Sequence, residues 1–65
     1  MLNKNKKASL EFQMEALQEA IIESREKVKE YDNKGDWMSA DLLQMEIIFM
    51  EANLQELENE YFFLV

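Results

Sequence analysis

Only one stretch of this 65-residue chain can stop a helix, and that constrains the fold before any other feature is weighed. It is Asp32-Asn33-Lys34-Gly35-Asp36, which holds the sole glycine, and proline occurs nowhere. Gly35 can take the left-handed backbone conformation that ends a helix. Asp36 then suits an N-cap, its carboxylate placed to accept from backbone N–H groups around Met38 and Ser39. A connection this short forces the flanking helices to lie antiparallel.

The apolar spacing on each side of the turn agrees with that hairpin. Before it, Leu10, Met14, Leu17, Ile21, Ser24, Val28 and Tyr31 alternate steps of four and three. This is a heptad seam with one polar interruption, at Ser24, which either admits a close neighbour or bonds back to the carbonyl of Ala20. After the turn, Ala40, Leu43, Ile47, Met50, Leu54, Leu57, Tyr61 and Leu64 repeat the pattern without a break. Antiparallel pairing stacks Val28 near Ala40 and Leu43, Ile21 near Ile47 and Met50, and Leu10 near Leu57 and Tyr61. The fold class is therefore all-α, an antiparallel two-helix hairpin of coiled-coil type. The helices are expected over about residues 8–33 and 36–63.

Residues 1–8 read as a basic, irregular or loosely helical lead-in, and 9–65 as the hairpin, with its turn at 33–36. Lys4, Lys6 and Lys7 at a helix N-terminus oppose the macrodipole, whereas Ser9 followed by Glu11 suits a cap and first turn, with Asn3 or Asn5 as earlier alternatives. Glu11, Glu15, Glu19, Glu23, Glu26 and Glu30 form a solvated ridge opposite the first seam. Glu23 and Lys27 have the favourable i,i+4 order, worth about 0.2–0.5 kcal/mol. Phe12 and Ile22 sit on that acidic side, either as single exposed apolar residues or as part of a partner surface.

The second helix is apolar on a second side as well. Met38, Leu42, Met45, Phe49 and Ala52 run along it, with Ile48 beside them, and the stripe gives way to Glu56 and Asn59. A helix apolar all round is usually buried, and nothing further in the chain is left to cover this stripe. The C-terminal Tyr61-Phe62-Phe63-Leu64-Val65 adds two aromatics, Phe62 and Phe63, that leave the seam. They either wrap over the first helix near Phe12, meet a second copy, or form an exposed tail.

Small chains commonly need disulfides, a metal or oligomerisation to be stable. With no Cys and no His here, oligomerisation is the available route, so a homodimeric four-helix bundle or larger helical oligomer is expected. The lack of cysteine also suits a reducing cytoplasm. No apolar run approaches the roughly 18 residues of a membrane span, and the N-terminal lysines are not followed by a signal-peptide core. The formal net charge is −7, which disfavours direct nucleic-acid binding.

Catalysis finds no foothold in the composition. His, Cys and Thr are missing, and with them the usual general base and the strongest nucleophile. Ser9, Ser24 and Ser39 read as a cap, a seam residue and a first-turn residue. No cofactor, metal or catalytic residue is expected: Glu23-x-x-Glu26 points outward, and a single glycine excludes a phosphate-cradling loop. Asp36, Asp41, Glu46, Glu51 and Glu56 recur every five residues. That spacing turns a helix by about 140° per step, so the carboxylates spiral and make no row.

Gly35-Asp36-Trp37-x-x-Ala40 resembles the turn of tetratricopeptide units, and is similar to the paired-helix motif of bacterial excision-repair proteins. The likeness covers about ten residues and implies only a helical turn, so no function transfers. The overall plan resembles small plasmid- or phage-encoded hairpins that dimerise into four-helix bundles, an analogy of architecture. The expected function is a small cytoplasmic adaptor or inhibitor, phage- or mobile-element-encoded, with itself and a host or cognate protein as partners. Alternatives are a structural assembly or secretion-chaperone subunit, or an acidic mimic that blocks a DNA-binding protein.

Overall fold

The computed structural model describes residues 2–64, with side chains from Asn5 to Leu64. Two helices account for nearly all of it: α1 spans Leu2–Lys34 and α2 spans Trp37–Leu64. They pack against each other as an antiparallel hairpin 51 Å long and 14 × 12 Å in section. Its radius of gyration is 15.0 Å, against about 11 Å for a compact domain of this length. The chain is a rod with one internal seam.

The turn is built by the two residues that the sequence marks out. Gly35 has φ +77°, the left-handed conformation that costs other L-residues about 1–2 kcal/mol. Its N–H donates to the Asp32 carbonyl at 3.0 Å, and the Asp36 N–H donates to the Tyr31 carbonyl at 2.9 Å. This pair of bonds is a Schellman motif, which satisfies two carbonyls that the end of α1 leaves free. Asp36 then starts α2. Its carbonyl accepts from Ala40 N–H at 3.2 Å, and its Oδ1 accepts from Ser39 N–H at 3.3 Å. Of the turn residues, Trp37 is left out: it is 74% exposed.

The core follows the two heptad seams. Leu10, Ile21, Val28, Ala40 and Ile47 are buried, and every other residue of both seams is half-buried. Ile21, Val28, Ala40 and Ile47 form one cluster, with Tyr31, Leu43, Met50 and Leu54 packed around it. Ala40 sits nearest the turn, where a small side chain lets the helices come together. Leu10 anchors the far end, where Tyr61 Oη donates to Glu11 Oε1 at 3.0 Å. Across the middle, the Arg25 guanidinium pairs with Glu51. That ion pair forms between the helices, whereas the one expected along α1, Glu23 with Lys27, does not.

The basic lead-in is also helical. α1 starts at Leu2 with no acid in its first turn, so neither Ser9 nor Asn5 is a cap; both lie inside the helix. Ser9 Oγ instead accepts from Gln13 Nε2 one turn on, at 3.2 Å. No residue before Ser9 breaks a helix, and lysine is a good helix former. Lys7 lies over the Tyr61 ring, 5.4 Å from its centroid, a contact worth about 0.5–1 kcal/mol at an exposed site. The Lys4 side chain, the Asn3 side chain and Val65 lie outside the described residues.

Three substitutions separate the contributions of turn, cap and seam in urea unfolding. A Cβ at Gly35 meets nothing within 4 Å, so Gly35→Ala is expected to lose about 1–2 kcal/mol from backbone conformation alone. Asp36→Ala should cost about 1 kcal/mol through the cap. Ile47→Ala should cost about 2–5 kcal/mol through its cavity.

Candidate protein-binding face

The side of α2 turned away from the seam is apolar and bare. Met38 is 80% exposed, Leu42 65%, Met45 56% and Phe49 66%, and Ala52 is exposed at the end of the stripe. These residues succeed one another by four, three, four and three, the same rhythm as the filled seam. A straight row of about 21 Å results from a rise of 1.5 Å per residue. On that rhythm the row lies opposite Ala40, Ile47 and Leu54. The two faces of α2 therefore have one spacing and different fates: the first is covered by α1, the second by none of the described residues. Covering the four large side chains offers on the order of 5 kcal/mol of transfer free energy.

The remaining apolar residues fall elsewhere. Ile48 and Ile22 flank the Arg25–Glu51 pair on one side of the hairpin. Ile48 shares a shallow groove with Arg25, Val28 and Glu51, and Ile22 shares the next one with Gln18, Arg25 and Leu54. Ile22 thus belongs to a lateral edge of the rod together with Ile48, and not to the Met38–Ala52 row. Leu42 borders a groove on the opposite edge, with Lys27, Tyr31, Ser39 and Glu46. The row is consequently the crest between two shallow grooves.

Phe12 lies on the outer side of α1 and is 74% exposed; Phe62 is 74% and Phe63 92% exposed. The C-terminal aromatics do not wrap over α1 near Phe12. The reason is geometric: α2 continues as a helix to Leu64, so Tyr61 and Leu64 stay in the seam while the two residues between them point away. Trp37, which the row's spacing leaves out, adds a large exposed aromatic one residue before Met38. Its position at the helix start made it look like part of the turn.

Polar chemistry is sparse around this face. Among the described residues no group of three or more Asp, Glu, His or Cys is arranged to hold a metal. Among the same residues no helix is long and apolar enough to cross a membrane. Of the five acids that recur every fifth residue, Asp36 is engaged in the cap and Glu51 is held by Arg25. Asp41, Glu46 and Glu56 border the row, exposed on α2.

Exposed and buried apolar positions on one helix should respond oppositely to charge. Leu42→Glu with Phe49→Glu is expected to leave the hairpin's melting close to wild type, within about 0.5 kcal/mol per site, because neither side chain is in the seam. Ile47→Glu, two residues before Phe49, should unfold the chain. Circular dichroism on the three proteins checks this.

No protein-family model, curated protein or solved structure matches this chain.

Proposed function

We propose that the chain is a small non-enzymatic protein-binding module, an adaptor or inhibitor, which engages a helical partner through the outward face of α2. The observation that carries this reading is the exposed row Met38, Leu42, Met45, Phe49 and Ala52, spaced as a heptad seam on a helix whose other seam is already filled. Apolar rows of this kind mark interfaces, because leaving them in water forfeits several kcal/mol. The absence of His, Cys and Thr supports a non-catalytic role, and the lack of cysteine supports a cytoplasmic setting. A subunit of a larger assembly is the same reading with a permanent partner.

Self-association is the second reading, favoured by the register of the row. Two copies of α2 laid antiparallel about Met45 bring Met38 opposite Ala52, large against small, which is how facing helices interdigitate. The product is a homodimeric four-helix bundle.

Capture experiments with the full chain test the module. Wild type and a Glu19→Gln control on the acidic ridge of α1 should retain the same protein from the source cell, and Leu42→Glu/Phe49→Glu should release it. If the double variant retains the same set as wild type, the face is not the binding site. Sedimentation at micromolar concentration separates the second reading: a dimer that the double variant converts to monomer assigns the face to a second copy. An acidic mimic would instead compete with DNA for its target and lose binding steeply in salt.

A further inference from the structure

The charge of this chain is not spread along it. Residues 1–34 hold seven acids and all seven bases, whereas residues 35–65 hold seven acids and no base. The whole net charge of −7 therefore resides on the α2 side of the turn. The exposed row lies on that helix, bordered by Asp41 and Glu46 and closed at its far end by Glu56. Two of the cations on α1 are committed within the hairpin: Arg25 to Glu51, and Lys7 to the Tyr61 ring.

From this juxtaposition we infer that the occupant of the outward face of α2 is a basic amphipathic helix, with apolar residues at heptad spacing and Lys or Arg along both edges of its stripe. The inference rests on the protein-binding reading above and names the partner's chemistry. Heptad spacing over about four turns matches the face of a helix and not the period-two face of a strand. Docking expels water from the row and its margins, so carboxylates there are favoured when the partner brings cations and penalised when it brings acids. A second copy offers either α2, which carries acids and no base, or α1, which carries as many acids as bases; neither brings the excess of cations that these margins favour. Met38 and Met45 also suit a partner surface not shaped in advance for this chain, because thioether side chains repack readily.

Three synthetic peptides of about 18 residues test the assignment against the full chain. They share one Leu/Ile heptad stripe and carry no aromatic residue; their flanking positions are Lys/Arg, Gln or Glu. Trp37, the sole tryptophan, reports docking next to Met38 by its emission, and calorimetry gives the stoichiometry. The Lys/Arg peptide is expected to bind one to one, roughly tenfold more tightly than the Gln peptide, with the Glu peptide weakest. Its affinity should fall severalfold between about 50 and 300 mM salt. Leu42→Glu/Phe49→Glu should abolish binding, and Asp41→Asn/Glu56→Gln should narrow the gap between the Lys/Arg and Gln peptides without changing hairpin melting. Equal binding of these two peptides to wild type, lost in Leu42→Glu/Phe49→Glu, overturns the basic partner and leaves the protein-binding face intact. Binding that persists in Leu42→Glu/Phe49→Glu is adsorption to the acids and overturns the inference. A chain that takes none of the peptides and sediments as a dimer has a second copy on this face, which also overturns it. If it takes none of them and stays monomeric with its melting unchanged by the double variant, the protein-binding reading falls as well.

Discussion

The contact between two heptad seams holds this molecule together, and its central part is small. Ile21, Val28, Ala40 and Ile47 form the cluster on which α1 and α2 close. Each helix is long enough to persist for many turns, yet isolated helices are marginal in water, and most helical stability in proteins comes from tertiary packing. Everything else described depends on that cluster. It sets which side of α2 is spent inward, and so which side is left over. It also brings Arg25 to Glu51 and Tyr61 to Glu11, contacts too exposed to organise the fold by themselves.

A rod with one seam has little interior, and this shapes its chemistry. Among the described residues no side chain is fully buried, and no buried side-chain polar atom lacks a partner. What the hairpin has is surface with a direction: a neutral helix carrying cations and acids in equal number, and a helix whose charged residues are all acids. Recognition by a molecule of this kind depends on a row of side chains and the field around it.

Most of the fold was legible in the sequence because its signals are local and agree. One glycine followed by an aspartate marked the turn, and the structure adds the bonds that make it a Schellman motif and an N-cap. Both seams were readable residue by residue, since steps of three and four leave no second way to bury Leu10 through Tyr31. The start of α1 was harder. Ser9 looked like a cap and three lysines looked unfavourable before it, but the Tyr61 ring that Lys7 meets is 54 residues away and carries no local signal. The same limit applies to Arg25 and Glu51, which meet across the seam, while the pair visible along one helix, Glu23 and Lys27, does not form. On the candidate face, spacing identified the Met38–Ala52 row. It could not show that Ile22 and Ile48 share a lateral edge, because that depends on how the helices are rotated against each other. Trp37 was obscured by its place in a turn-like motif.

The antiparallel turn at Gly35 and Asp36 also sets an order in which the molecule can assemble. Next to the turn, Val28 and Ala40 are close in sequence, whereas Lys7 and Tyr61 at the open end are separated by most of the chain. Closing that far end directly costs more chain entropy than closing the near end. Once the near end is fastened, each further turn of helix adds only a short loop to the part already joined. Formation thus runs like a zip from the turn, and loosening runs back toward it, so backbone amides should exchange with solvent earliest around Lys7 and Tyr61 and last around Val28 and Ile47 in the buried cluster.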